Sequence, residues 1–222
     1  MKIHFLKWTI MPAAVLLLGS VAMAQDSSPN GSSTSSQGSS TTSATPTKPG
    51  EIAKRKENQQ DRIAHGVKSG QLTAGETANL ETKEAAINSE TKADRAANGG
   101  KLTAAEKSQI NQQQNQVSKQ IYQDKHNANT AHYGNNPVGQ RRENQQDRIA
   151  QGVKSGQLTA GETAKLENQQ KNINHQVAAD RAANGGKLTT GEKQQINKEQ
   201  NAASKNIYNK KHNTKTQPGT KK

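Results

Sequence analysis

GQLTAGE, at residues 70–76, has the pattern G-x-L-T-x-x-E, which recurs at 100–106, 156–162 and 186–192. Glycine readily adopts the left-handed backbone conformation that ends many helices. Thr followed three residues later by Glu forms a capping box, which begins the next helix. The Leu between them is expected to point inward. Each occurrence therefore predicts a corner between two helices, and four corners predict an all-α chain.

The four corners belong to a long internal repeat. Residues 55–81 and 141–167 differ at only three positions, and the same offset of 86 residues maps 94–103 onto an identical run at 180–189. A repeat of this kind is typical of arrays of interaction modules rather than of a single active site.

The stretches between corners are rich in Ala, Gln, Lys and Glu, which favour helices. They predict two tandem three-helix units with long helical hairpins, flanked by disordered segments. The predicted helices are about 51–68, 73–98, 103–126, 138–154, 159–184 and 189–211. The predicted organisation is a signal peptide at 1–24, a Ser/Thr-rich disordered linker at 25–50, unit 1 at 51–133, an inter-repeat turn at 134–137, unit 2 at 138–212 and a basic disordered tail at 213–222.

The first 24 residues predict export. Lys2 and Lys7 give a positive start before a short apolar run at 10–21, and Ala22-Met23-Ala24 supplies a small-x-small cleavage site. The run is too short for a transmembrane anchor. We therefore expect a Sec-type signal peptide and a periplasmic or secreted protein without a transmembrane anchor after cleavage. Cleavage removes two lysines and lowers the formal charge from +13 to +11.

Composition argues against catalysis and against several classes of site. The chain has no Cys, so disulfides, thiol nucleophiles and thiolate metal sites are excluded. It also lacks H-E-x-x-H, G-x-S-x-G and P-loop motifs, so we expect no enzyme. Acids such as Glu76 and Glu81 are predicted to lie on an exposed helix face, where they aid solvation.

Positive charge is the main indication of a partner. The expected partner is an anionic polysaccharide, an envelope polymer or a protein. Tyr122, Tyr133 and Tyr208 are the only aromatic residues expected after cleavage, so stacking platforms for nucleic acid are scarce and nucleic acid is not an expected partner.

The apolar stripes of the predicted helices are thin. Ile110, Gln114, Val117 and Ile121, for example, form a stripe with one polar member. We therefore expect helices that are encoded locally but packed weakly, with self-association or a ligand adding stability.

Histidines give no clear metal site. His126 and His212 end the third helix of each unit, where a cation complements the helix dipole. His126 and His132 could meet a transition metal, but no Cys or well-spaced carboxylate completes the site. No catalytic residue, metal ligand or cofactor is therefore predicted.

Each corner resembles the second half of an EF-hand calcium loop. The matching residues in the second corner are Gly100, Leu102, Thr103 and Glu106. The positions of the family's first three oxygen ligands hold Arg95, Ala97 and Gly99. The resemblance implies a degenerate EF-hand-like calcium-binding protein, whereas the residues themselves favour a capped corner.

The chain also resembles uncharacterised exported bacterial proteins with repeated R-I-x-x-G-V-x-S-G-x-L-T corners, here at 62–73 and 148–159. That resemblance implies export and helical repeats but no known activity. We expect an exported non-enzymatic interaction or scaffold module of the envelope or extracellular space. The alternatives are a hydrophilic stress protectant, which would depend on weak order, and the degenerate calcium-binding protein.

Overall fold

Six α-helices make up the regular structure of residues 50–218, the part of the chain that the computed structural model describes. They are α1 (Glu51–Lys68), α2 (Ala74–Ala97), α3 (Ala104–Lys125), α4 (Pro137–Lys154), α5 (Ala160–Ala183) and α6 (Thr190–Lys211). The all-α prediction is confirmed. The predicted signal peptide, nearly all of the predicted linker and residues 219–222 lie outside the described range. Within that range, no helix has the length and apolarity needed to cross a membrane.

The four corners form as their sequence predicts. Thr73, Thr103, Thr159 and Thr189 are helix N-caps, and each forms a complete capping box with the Glu three residues later. Gly70 and Gly156 have φ angles of 71° and 69°, in the left-handed region that favours glycine. Local chemistry therefore accounts for where the helices begin and end.

The corner leucines pack tightly inside the turns between α1 and α2 and between α4 and α5. Leu72 is buried and donates its backbone N–H to the carbonyl of Gly66 at 3.0 Å. A Cβ on Gly66 would lie 2.7 Å from the Leu72 side chain. The same holds for Gly152 and Leu158, at 2.6 Å. The leucine therefore packs directly on the glycine backbone.

Each three-helix copy has its own apolar core, supplemented by buried glutamines. Gln59 donates to the backbone oxygen of Gln114 at 2.7 Å, and Gln114 donates to the carbonyl of Ile52 at 3.0 Å. The equivalent bonds in the second copy join Gln145 to Gln200 and Gln200 to Val138. Gln114 and Gln200, the polar residues of the α3 and α6 stripes, are thus buried and hydrogen-bonded to a neighbouring helix. The stripes are therefore more closely packed than their apolar content indicates.

The chain between the copies enters α4 one residue earlier than predicted. Asn136 caps α4 by accepting the N–H of Gly139 at 3.1 Å, and Pro137 is the first helical residue. Proline suits that position because its fixed φ matches the helix and no N–H is needed there.

A short segment after the third helix of each copy folds back onto the first corner. Ala131 donates its N–H to the carbonyl of Gly70 at 2.9 Å, and Gln217 donates to that of Gly156 at 2.9 Å. The side chain of Gln217 is buried and accepts the N–H of Ala160 at 2.8 Å. Within the predicted tail, Gln217 is therefore hydrogen-bonded to the corner between α4 and α5.

Candidate functional site at the interface between the copies

Equivalent helices of the two copies pack against each other. α1 contacts α4, and α2 contacts α5. A Cβ on Gly161 would lie 3.9 Å from Cβ of Ala85, and a Cβ on Gly75 would lie 3.7 Å from Cδ of Lys171. The offset of 86 residues turns the first pair into the second with the partners exchanged. Such reciprocal contacts define a pseudo-two-fold axis.

The apolar clusters show the same reciprocity. Ala64 of α1 belongs to a cluster formed otherwise by the second copy, and its equivalent Ala150 belongs to the cluster of the first copy. We call the contacts of α1 with α4 and of α2 with α5 the inter-copy interface. Small side chains allow the helices to approach closely there.

Two fully buried carboxyl groups lie near the pseudo-two-fold axis. Residue 80 is midway between positions 75 and 85, so Glu81 and its equivalent Glu167 lie one residue from the centre of the α2–α5 contact. Both side chains are 0% exposed. Gln60 donates to Glu81 at 3.1 Å, and Gln146 donates to Glu167 at 2.9 Å. The prediction that Glu81 lies on an exposed helix face is therefore wrong, because that face is covered by the other copy.

A third buried carboxyl breaks the symmetry. Glu84 is 0% exposed, and neither of its oxygens has a hydrogen-bond partner among residues 50–218. The equivalent residue in α5 is Gln170, which donates to Gln145 at 3.2 Å. Lys56 of α1, whose charge acts on Glu84, is likewise replaced by Arg142 in α4. At this position the first copy therefore has a buried carboxyl group where the second copy has an amide.

Burial raises the pKa of all three carboxyl groups. Burial raises the pKa of Glu167 to about 8, despite the hydrogen bond from Gln146. Burial raises the pKa of Glu84 to about 7, with the charge of Lys56 acting in the opposite direction. The pKa of Glu81 lies well above its usual range because it is buried and because Glu84 and Glu167 add negative charge nearby. Burial at this interface therefore favours the protonated form of these groups.

Tyr133 lies near enough to Glu167 and Arg142 for their charges to act on it. The guanidinium of Arg142 lies 5.2 Å from the centre of the Tyr133 ring, within the range of a cation–π contact. Burial lowers the pKa of Arg142, and burial raises the pKa of Tyr133 above its usual range. Tyr133 precedes α4, so the segment between the copies contributes to the interface.

An open cleft of about 650 Å³ lies between α1 and α4. Buried Ala64 and Ala150 line it, together with the exposed lysines Lys68 and Lys154. These lysines are equivalent residues of the two copies. The remaining lining residues are Asp61, His65, Ser69 and Gln151. The cleft therefore combines a small-residue surface with two cations related by the pseudo-two-fold axis.

The corner glutamates are used for helix capping. Glu106 accepts the N–H of Thr103 at 2.8 Å and a side-chain N–H of Asn98 at 2.7 Å. The hydrogen bond from Thr103 lowers the pKa of Glu106. Arg95 and Ala97, at ligand positions of the EF-hand comparison, lie within α2 rather than in a loop. The resemblance at the corners is therefore explained by capping geometry.

The histidines considered for a metal site have other contacts. His126 caps the end of α3, lies 2.7 Å from the Tyr122 carbonyl through Nδ1 and stacks on the Tyr122 ring at 4.2 Å. His132 pairs with Thr130 through Nε2 at 2.6 Å. His212 repeats the first arrangement with Tyr208. Each ring thus has a local structural role.

Sequence reasoning missed the buried glutamines and glutamates of the interface. One signal was available: the run ENQQDRIA, at 57–64 and 143–150, is identical in the two copies and contains Gln60 and Gln146. No protein-family model, no curated protein and no solved structure matches the chain.

Proposed function

We propose that this chain is an exported, non-enzymatic helical-repeat protein that serves as an interaction or scaffold module for an anionic partner in the envelope or extracellular space. An acidic polysaccharide is the partner class that the charge and the repeat favour most. The single observation that carries the proposal is the cleft between α1 and α4, with equivalent lysines Lys68 and Lys154 among its lining residues.

The charge of the molecule supports this partner. The chain holds 31 Lys and Arg against 18 Asp and Glu. Among the described residues, four acids but only two bases are buried: Glu81, Glu84, Glu162 and Glu167, with Lys56 and Arg142. The solvent-facing surface is therefore more cationic than the formal charge indicates, which favours anionic polymers in diffusional encounter.

Pseudo-two-fold symmetry supports a repetitive ligand. Two equivalent lysines that line one cleft can engage successive acidic groups of a polymer, and the second contact then forms at a high effective concentration. A chain of repeated acidic sugars provides such groups at regular spacing. Binding of this kind is expected to be weakened strongly by salt.

Close packing favours the scaffold over the stress-protectant alternative. The protectant would work through weak order, whereas each copy here has a buried apolar cluster and buried hydrogen bonds between helices. High helicity of the isolated chain in dilute buffer would support the scaffold, and low helicity that rises on drying would support the protectant.

The binding proposal is tested with polygalacturonate, an anionic polysaccharide, and the chain without its predicted signal peptide. Lys68→Gln with Lys154→Gln should weaken binding at low salt by about tenfold or more, since two of the contacting charges are lost. Lys119→Gln with Lys205→Gln is the matched control, because these exposed lysines are also equivalent residues but lie on α3 and α6. Equal losses in the two double variants, or binding that is insensitive to salt, would contradict the cleft as the site.

A further inference from the structure

The inter-copy interface has a different composition from the cores that it joins. Within the copies, the buried side chains are mainly Ile, Leu and Val. The α2–α5 contact instead contains small residues such as Ala85 and Gly161 and the carboxyl groups of Glu81 and Glu167. Each copy thus keeps most of its apolar core within itself, and the contact between the copies combines small residues with buried carboxyl groups.

These polar groups are only partly satisfied. Glu81 and Glu167 each accept one hydrogen bond from a glutamine amide, and one oxygen of each has no partner among the described residues. Glu84 has none for either oxygen. A protonated carboxyl tolerates such surroundings far better than a carboxylate, since burying an uncompensated charge is costly.

We propose that the inter-copy interface is a pH-gated joint, closed while the carboxyl groups of Glu81, Glu84 and Glu167 carry their protons and opened when they ionise. On ionisation, Glu81 and Glu167 would place two negative charges in the α2–α5 contact, and the charge of Glu84 on α2 would act on Glu81 as well. Opening would separate the two copies as intact three-helix units and expose the carboxylates to water.

The surrounding charges do not offset this repulsion fully. Lys56 of α1 opposes the ionisation cost of Glu84, but burial and the positive charge of Arg95 both lower the pKa of Lys56. On the second copy's side, Arg142 of α4 faces Tyr133 and Arg181 of α5. Glu143 and Asp147 of α4 add negative charge around Tyr133. The only cation that acts on the three carboxyl groups within the described residues is therefore Lys56.

The expected pH range follows from the direction of the shifts. The pKa values of Glu84 and Glu167, about 7 and about 8, exceed the usual value for glutamate, so the closed state is favoured at lower pH. The interface is closed below this range and opens as pH rises through it. The inference does not depend on the identity of the partner proposed above.

The test measures the distance between the copies. Spin labels on Gln116→Cys of α3 and Ala202→Cys of α6 occupy equivalent exposed positions in a chain that has no other cysteine. We expect one narrow distance distribution at about pH 6 and a broader, longer one at about pH 9. Circular dichroism should show the same helicity at both values.

Glutamine variants identify the groups responsible. Combining Glu81→Gln, Glu84→Gln and Glu167→Gln should keep the narrow distribution at about pH 9, since an amide cannot ionise. Glu84→Gln alone should move the opening to higher pH, and it introduces the residue that the second copy already has as Gln170. Glu57→Gln, the same change at an exposed position, should leave the wild-type response unchanged.

Two outcomes would overturn the inference. One is a distance distribution that does not change between about pH 6 and about pH 9 in the wild-type chain. The other is a loss of helicity in parallel with the distance change, because the copies would then be unfolding instead of separating. Either result leaves the polysaccharide experiment, which compares lysine variants at one pH, unaffected.

Discussion

Gly139 occupies a helical position at which the second copy has no room for a side chain. The equivalent position in the first copy is Ala53. A Cβ on Gly139 would clash with the backbone oxygens of Tyr133 and Gly134, which cross the first turn of α4. A glycine is therefore needed here to let the connecting segment pass, although the position is helical.

Gly139→Ala should destabilise the protein by about 2 kcal/mol or more, since the clashing atoms are backbone and cannot rotate away. Gly191→Ala in α6 is the matched control, because no atom lies within 4 Å of its added Cβ and the first copy has Ala105 there. That substitution should stabilise by up to about 1 kcal/mol through helix propensity. Urea unfolding of the two variants measures both effects, and equal signs would contradict the predicted clash.

The sequence predicts the capping residues but not the buried polar residues. Thr103 and Glu106 follow a local rule, so their roles could be predicted from seven residues of sequence. The burial of Glu81 could not be predicted in this way, because it depends on the other copy covering α2. A polar residue on a helix is ordinarily solvated, and only the packing of copy against copy reverses that expectation.

Helix starts are the best predicted feature at the scale of single elements. Every helix after α1 begins within about one residue of the predicted position, because a Thr or Asn cap marks it. Which helices pack against each other was harder to predict, because the apolar stripes of the helices are thin. Buried glutamines such as Gln59 and Gln145 complete the contacts between helices.

Capping energetics can be tested at the start of α5. Thr159→Ala removes the hydroxyl that accepts the N–H of Glu162 and should cost about 1 kcal/mol of stability. Thr159→Ser keeps that hydroxyl and should cost clearly less. Thermal unfolding of the two variants gives the comparison, and an alanine variant as stable as the serine variant would show that the box contributes nothing.

Across the described residues, some glutamates have lowered pKa values and others have raised ones. The stability of the protein should therefore be highest in mildly acidic solution. Glu106 and Glu192 have lowered pKa values, because they accept backbone hydrogen bonds at helix starts. Their contribution is present above the usual glutamate pKa and is lost as pH falls below it. Glu84 and Glu167 have raised pKa values, so the stability that they allow at low pH is lost as pH rises toward about 7 and about 8.

Melting temperatures across the pH scale check this prediction. We expect a maximum near pH ~5, between the two titration ranges, and a decline on both sides. The triple glutamine variant of Glu81, Glu84 and Glu167 should lose the decline on the alkaline side and keep the one on the acid side. A wild-type curve that is flat from about pH 5 to about pH 9 would contradict the raised pKa values.

Duplication explains how a chain with so little apolar content forms a closed structure. Residues 50–218 form part of one compact unit in which each copy covers the other. The repeat was visible in the sequence, whereas its pseudo-two-fold packing was not, because tandem copies can also stack as an open array.

The pseudo-two-fold packing of α2 against α5 is tested most directly by a designed disulfide. Ala85→Cys with Gly161→Cys places two Cβ atoms 3.9 Å apart, within the range that a disulfide requires, in a chain without other cysteines. Under mild oxidation in dilute solution, we predict rapid cross-linking within the monomer, and none for the control pair Ala85→Cys with Gly191→Cys. A double variant that stays reduced, or that cross-links only between molecules, would contradict this packing.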